Sequence, residues 1–203
     1  MDQRFSQSSR RCRRAMLASV LVTLLSGVGA GGRDEPILAW GKKVSPEFKA
    51  RIVEIARDLK ADPDHLMAAI AFETAETFRP DIKNAAGSGA TGLIQFMPAT
   101  ARSLGTTTEA LAAMSAVEQL TYVHKYLAPY RGKLNEVEDL YMSILWPRAV
   151  GKEPEYVLFT QGTRAYDQNK GLDSNRDGKI TKREAGSKVR AKLEKGRTPA
   201  WRG

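Results

Sequence analysis

The chain has 203 residues, 42% hydrophobic and 27% charged, which is enough apolar material for one sizeable core. Its formal net charge is +9, and because five Arg and one Asp lie in residues 1–30, the remainder would carry +5. No basic stripe interleaved with aromatic residues is present, which argues against a nucleic-acid-binding protein. The modest positive excess is compatible with an anionic polymer as partner, or with nothing more than a solvated basic tail.

The first 30 residues have the layout of a secretory signal peptide. Arginines at positions 10–14 precede the apolar run AMLASVLVTLL, and a small-residue stretch ending at Ala30 follows. We therefore expect residues 1–30 to be removed on export, leaving a periplasmic or secreted bacterial protein with no stable membrane span. The run is shorter than the about 20 residues of a membrane helix, and an uncleaved inner-membrane anchor is the alternative. Cys12, the only cysteine, lies in this segment, so the mature chain is expected to contain no disulfide.

Residues 31–44 are predicted to be a linker, and a series of helices follows it. Helix N-termini are marked by a cap residue, a proline or a capping box at Ser45-Pro46, Asp62-Pro63, Met97-Pro98 and Ser115–Glu118. A further helix is expected over about 136–145, and the only candidate strand is YVLF at 156–159. The fold class is therefore mainly α. Trp40 and Trp146 are expected in the core or at the surface, with stacking on sugar rings as the alternative.

The second of these helices places a carboxylate on its apolar face. Glu73 follows Ile70 by three residues and Leu66 by seven, so it shares their side of the helix, as does Thr77. Burial there would raise the pKa of Glu73, and a protonated carboxyl group is what glycosidic cleavage needs to protonate the leaving oxygen. From this helix alone, a structural role for Glu73 is favoured over a catalytic one.

The residues that follow Glu73 favour the catalytic role instead. Glu73-Thr74, Phe78-Arg79-Pro80 and the run GSGATGLIQFMPATA at 87–101 resemble the motifs of the soluble lytic transglycosylase family. The resemblance covers residues 45–150 and implies a goose-type lysozyme-like α-helical domain, which we place at 45–160. It implies Glu73 as the catalytic residue and, as substrate-binding residues, Thr74 at the floor of the site and Gln95, Phe96 and Met97 along the sugar cleft.

A third family motif is matched only in part. Tyr141 stands at the tyrosine of that motif, but Met142 occupies the position of the expected asparagine. The Tyr141 hydroxyl could donate toward the sugar or the acid, and we include it among the substrate-binding residues. As an aromatic residue on a helix, Tyr141 could equally belong to the core.

The resemblance implies a reaction on peptidoglycan glycan strands that needs no cofactor. A single glutamate would cleave the β-1,4 bond between N-acetylmuramic acid and N-acetylglucosamine, with formation of 1,6-anhydro-N-acetylmuramic acid. A hydrolytic muramidase is one alternative; it would usually need a second carboxylate, and Glu76 or Asp81 could supply one. A non-catalytic, calcium-stabilised wall-binding module is another, which Glu73 argues against and Met142 argues for. A calcium-dependent signalling protein is disfavoured by the secretion signal.

A second site is predicted near the C-terminus, where DSNRDGKITKRE at 173–184 fills every position of an EF-hand loop. The expected calcium ligands are Asp173, Asn175, Asp177, the carbonyl oxygen of Lys179, and Glu184. Gly178 permits the sharp turn. Because no second loop is present, we expect a structural calcium clip within residues 161–203, which end in a basic helix or tail. An Asx-rich turn without metal is the alternative, and the protein is expected to be a monomer.

Overall fold

The computed structural model describes residues 35–203 with the exception of residue 86, and this part of the chain is mainly helical, as predicted. The helices are α1 (Pro46–Leu59), α2 (Pro63–Glu73), α3 (Pro98–Ser103), α4 (Thr108–Ala113), α5 (Ala116–Leu127), α6 (Val137–Leu145), α7 (Arg164–Asn169) and α8 (Lys182–Arg197). Strands β1 (Val157–Thr160) and β2 (Lys179–Thr181) form one antiparallel sheet. The predicted signal peptide at 1–30 lies outside the described residues. Within them, no helix is both long and apolar enough to cross a membrane.

The helix starts that the sequence marks are confirmed. Ser45 Oγ accepts a hydrogen bond from the Phe48 amide at 3.3 Å, and Asp62 Oδ1 accepts one from the Asp64 amide at 2.8 Å. At the start of α5, Ser115 and Glu118 form both bonds of a capping box. The apolar stripe predicted for α1 is buried in full and consists of Phe48, Ile52, Ile55 and Leu59.

Helix α2 ends at Glu73, one turn earlier than the predicted apolar face that included Thr77. Thr74 Oγ1 donates to the Ile70 carbonyl at 2.7 Å and accepts from the Phe78 amide at 3.0 Å. These two bonds turn the chain out of the helix, so Thr77 lies in the loop beyond it. Glu73 is therefore the last helical residue, at the edge of a tight turn.

Helix α8 packs against α2 and α6 and is part of the core, with Val189 and Leu193 buried. Several of its basic residues are paired with acids of the preceding part of the chain. Arg190 bonds both carboxylate oxygens of Glu138, at 2.5 and 2.6 Å, and Arg197 Nε lies 2.9 Å from Asp64. Much of the C-terminal positive charge is thus neutralised by ion pairs with the rest of the fold. The interpretation as a solvated basic tail does not hold for this helix.

The predicted linker also differs from the structure, because its described part is integral to the fold. Leu38, Ala39 and Trp40 are buried. The Leu38 amide donates to the Gly203 carbonyl at 3.0 Å, and the Ala39 amide donates to Asp64 Oδ1 at 2.7 Å. This segment is held between the start of α2 and the C-terminus.

The predicted strand at 156–159 is found at Val157–Thr160, where it pairs with β2. Phe159 is opposite Ile180, the apolar position of the predicted calcium loop, and Ile180 is fully buried. In paired EF-hands this position joins the two loops; here the partner strand comes from the region before the loop. The short pairing anchors the solitary loop to the rest of the fold.

Candidate active site

Glu73 is a partly buried carboxylate at the C-terminal end of α2. Removal from water disfavours its charged form and raises the pKa of Glu73 to about 8. Within the described part of the chain, its carboxylate has no hydrogen-bond or ion-pair partner. A carboxyl group in this state is protonated at neutral pH and free to donate its proton to a ligand.

Two tyrosines from other helices lie close enough to Glu73 for its charge to raise their pKa values. Tyr141 of α6 is buried and packs edge-on against Phe72 with ring centroids 5.1 Å apart, and burial and Glu73 together raise its pKa. In α5, burial, Tyr130 and Glu73 raise the pKa of Tyr126 to about 12. The site is thus formed where α2, α5 and α6 converge.

Tyr126 is a site residue that the sequence did not reveal. It lies next to Leu127 on α5, beside the apolar stripe that predicted the inward face, and the helical period gave no reason to single it out. Its hydroxyl donates to the Ser143 carbonyl at 2.8 Å, and its ring packs edge-on against Phe96 at 6.2 Å. Tyr126 therefore connects the loop at 87–97, which carries the family motif and is called the motif loop below, to α6.

The motif loop brings three of the five predicted substrate-binding residues together, whereas Thr74 and Tyr141, like Glu73, do not line the same cavity. Gln95, Phe96 and Met97 line one cavity with Tyr126, as do Ile94, Thr100 and Ile144. Its volume is about 80 Å³, well below the roughly 300–1,000 Å³ of typical small-ligand pockets. A glycan strand would therefore have to lie along the open surface beside this cavity.

The three residues differ in what they offer to a ligand. Gln95 is half-buried at a φ of 52°, and its side-chain amide donates to the carbonyl oxygens of Gly92 and Ile82 at 3.1 and 3.3 Å. Phe96 is only 2% exposed and belongs to the core, whereas Met97 is 47% exposed. Thr74 is fully buried, and its hydroxyl bonds only the backbone described above. Of this set, Met97 presents the most surface to solvent.

The motif loop is fixed from below by Gln119, another residue that sequence reasoning missed. Gln119 is fully buried in α5; its Oε1 accepts from the Leu93 amide at 2.6 Å, and its Nε2 donates to the carbonyls of Pro80 and Leu111. A Cβ on Gly92 would lie 2.3 Å from Gln119 Oε1, and Gly92 has a φ of 88°. Glycine is required here because any side chain would clash with Gln119 and strain the turn.

The two candidate second carboxylates are both engaged in ion pairs. Glu76 accepts from Lys192 Nζ at 2.5 Å and Lys195 Nζ at 2.6 Å. Although partial burial opposes it, these bonds lower the pKa of Glu76. Asp81 is bound by Arg79 through two hydrogen bonds of 2.9 and 2.7 Å, and the bonds from Arg79 lower the pKa of Asp81. Both groups are ionised and neutralised by basic partners.

The predicted calcium loop is organised by hydrogen bonds from its own side chains. Asp173 accepts from the amides of Arg176 and Gly178, Asn175 from Asp177, and Asp177 from Lys179, at 2.7–3.0 Å. Gly178 adopts the expected left-handed φ of 79°. The loop therefore has the turn geometry that its Asx residues and glycine predict.

The donor set of this loop fits calcium in its chemistry, since all five predicted ligands supply oxygen. Glu184 Oε1 accepts from Ser174 and from the Asn175 amide, and Oε2 accepts from Thr181 as part of the capping box of α8. Among residues 35–203 as described, no three His, Cys, Asp or Glu side chains gather into a group that could hold a metal ion. Calcium binding would require Glu184 to exchange some of these bonds for the ion.

A larger cavity, about 640 Å³ in volume, lies between α6, the segment Gly151–Pro154 and α8. Most of its charged lining residues are in ion pairs. Lys182 Nζ lies 2.6 Å from Asp139 Oδ1 with both side chains buried, and Arg190 binds Glu138. Neither pair leaves a charge free for a ligand, so the site around Glu73 is the stronger candidate.

No protein-family model matches the chain, and a comparison with curated proteins finds no significant match.

Proposed function

We propose that this protein is a peptidoglycan lytic transglycosylase with a lysozyme-like fold, exported to the substrate by its N-terminal signal. The observation that carries the proposal is the desolvated, unpaired Glu73, whose pKa of about 8 leaves it protonated at neutral pH. A protonated carboxyl group that a substrate can reach can act as a general acid. The motif residues from Glu73 to Ala101 support the same conclusion from the sequence.

In this mechanism Glu73 acts first as acid and then as base. It protonates the bridging oxygen as the bond from that oxygen to C1 of N-acetylmuramic acid breaks, and the N-acetyl group of the substrate stabilises the positive charge at C1. The Glu73 carboxylate then accepts the proton of the muramic 6-hydroxyl, and O6 bonds to C1. The products are a free 4-hydroxyl and a 1,6-anhydro ring, and no water is consumed.

The ion pairs that Glu76 and Asp81 each form with basic residues support transglycosylation over hydrolysis. An inverting or retaining hydrolase uses a second carboxylate as base or nucleophile. Glu76 is bound by two lysines and Asp81 by Arg79, so each would have to leave its partner in order to react. An intramolecular acceptor, the 6-hydroxyl, removes the need for either group.

The purified protein is expected to release muropeptides that end in 1,6-anhydro-N-acetylmuramic acid from isolated sacculi, as measured by mass spectrometry. The Glu73→Gln variant should release about 100-fold to 10,000-fold less, because it cannot donate the proton. Glu194→Gln, an exposed change on α8, is the matched control and should retain wild-type activity. Products with reducing ends would favour a muramidase instead. Co-sedimentation with sacculi without any release would favour a non-catalytic wall-binding module.

We propose further that residues 173–184 bind one calcium ion as a structural clip. Five oxygen donors in EF-hand order and the left-handed Gly178 support this assignment. Because β2 pairs with β1 and Glu184 lies in the first turn of α8, a bound ion would join the loop to the helix that packs on α2 and α6.

Calcium is expected to raise the melting temperature by about 5–10 °C at a hundredfold excess over its dissociation constant. Differential scanning calorimetry in calcium and in a chelator measures the difference. Asp177→Asn keeps the turn-forming oxygen but removes a charge, so the shift should shrink; Asp167→Asn, exposed and outside the loop, should leave it unchanged. Identical melting temperatures with calcium and with chelator would contradict the proposal.

A further inference from the structure

The loop after Glu73 adopts a conformation that its own sequence does not favour. Ala75, Glu76 and Phe78 have φ angles of 49°, 66° and 56°. Residues with a Cβ atom rarely occupy this left-handed region, and three in four positions is unusual. Such a loop persists only where surrounding contacts impose it. Thr74 supplies part of that support through its bond to the Phe78 amide.

Local backbone bonds, such as that from the Glu76 amide to the Ala71 carbonyl at 2.7 Å, also hold the loop. Further contacts come from α8, more than one hundred residues away in the sequence. Lys192 and Lys195 donate to the two carboxylate oxygens of Glu76 at 2.5 and 2.6 Å. The Glu76 side chain is 21% exposed and that of Lys192 30%, so the contact is shielded from water in part. Lys195 is itself held over the rings of Trp40 and Trp201, at 5.3 and 5.2 Å.

We propose that Lys192 and Lys195 are positioning residues that act on Glu73 through Glu76. By binding Glu76 they hold the left-handed loop, and the loop in turn ends α2 at Glu73 and keeps its carboxylate out of water. The proposal rests on the function proposed for Glu73, but its structural part can be measured without substrate. It also gives a role to Glu76 that differs from a second catalytic carboxylate.

A purely electrostatic role for the lysines and a positioning role predict opposite changes in the pKa of Glu73 when the lysines are replaced. Among the described residues, Tyr126 on α5 and Tyr141 on α6 interact electrostatically with Glu73, and Glu76 with its two lysines lies three residues farther along the chain. Removing two positive charges and leaving Glu76 unpaired would favour the neutral form of Glu73 and raise its pKa. Releasing the loop would instead admit water and lower the pKa of Glu73. The direction of the change therefore distinguishes the two roles.

The test compares the full-length Lys192→Met/Lys195→Met variant with Lys188→Met, an exposed lysine on the same helix. Carbon-13 NMR of the glutamate carboxyl groups, with the Glu73 signal assigned by Glu73→Gln, measures the pKa of Glu73. We expect it to fall from about 8 toward its ordinary value in the double variant. Release of muropeptides should fall about tenfold to a hundredfold. Lys188→Met and Lys192→Arg/Lys195→Arg should resemble the wild type.

Two further comparisons keep the proposal falsifiable. In a Glu76→Gln background the lysine substitutions should have no additional effect, because their action passes through Glu76. If the double lysine variant does not fold, the single Glu76→Gln variant replaces it in the pKa measurement. An unchanged or raised pKa of Glu73 in the double variant would overturn the positioning role. If the wild type released nothing from sacculi, the proposed function would fail while the pKa measurement still decided the role of the lysines.

Discussion

Replacing Glu73 with glutamine is expected to raise the free energy of unfolding at pH 7 by about 2–3 kcal/mol. The ordinary pKa of 4.5 applies to Glu73 in the unfolded chain, whereas burial raises its pKa to about 8 in the folded protein. At pH 7 folding must therefore neutralise an ionised group, at about 1.4 kcal/mol per pH unit above 4.5. Glutamine has a similar shape and no charge. The expected gain is below the full value because Glu73 keeps some exposure to water.

The sign of this effect fixes its dependence on pH. Below pH 4.5 Glu73 is protonated in both states, so the wild type and Glu73→Gln should differ little. Between pH 4.5 and 8 only the unfolded chain loses its proton, and the advantage of the variant should grow; above pH 8 it should level off. Urea denaturation at pH 4, 6 and 8 measures it, with Glu194→Gln as the exposed control. A difference that is the same at all three pH values would contradict the buried state of Glu73.

A carboxyl group that lowers stability at neutral pH and has no partner needs a reason to be there. Structural carboxylates in this protein are of the other kind: Asp64 accepts from Ala39 and Arg197, and the hydrogen bonds and charges around it outweigh burial and lower its pKa. Glu73 shows the opposite combination of a raised pKa and no partner within the described residues. Stability given up at one position is typical of a functional site.

Local chemistry was enough to predict where several helices begin. The bonds made by Ser45, Asp62 and Ser115 connect groups only two or three residues apart, so the sequence contains all the information they need. The strand near Phe159 and the turn at Gly178 were predictable for the same reason. Helix α4, which begins at Thr108 behind a Thr107 cap, was not predicted, although its cap is equally local.

The environment of Glu73 was predictable only in part. Its place on an apolar face followed from the helical period, but the end of α2 at Glu73 did not. The left-handed loop at Ala75–Phe78 contains no glycine, and the two lysines that bind its Glu76 come from α8, far away in the sequence. The role of Gln119 beneath the motif loop depends in the same way on contacts between residues distant in the chain.

The largest difference from the sequence-based prediction concerns residues 35–44. They were predicted to be a linker, yet they join the two ends of the described chain. The Trp40 amide donates to the Gly196 carbonyl at 3.1 Å, and its indole Nε1 donates to the Lys192 carbonyl at 2.9 Å. Gly196 has no room for a Cβ, which would lie 2.3 Å from the Trp40 ring. This fit between Trp40 and Gly196 exists only in the folded chain, so it could not be predicted from the sequence of either segment alone.

Replacing Trp40 with alanine is therefore expected to lower the free energy of unfolding by about 3–5 kcal/mol. The indole is fully buried and contacts the rings of Trp201 and Phe78, with centroids 5.1 and 6.3 Å away. Its loss would leave a cavity, and the alanine would keep the left-handed φ of 62° that the native contacts now impose. Urea denaturation measures the change, and Ile37→Ala, at a side chain 65% exposed in the same segment, should alter stability by less than about 0.5 kcal/mol. Equal effects of the two substitutions would mean that residues 35–44 are a linker after all; a large effect of Trp40→Ala alone would show that this segment stabilises the helix that carries Lys192 and Lys195.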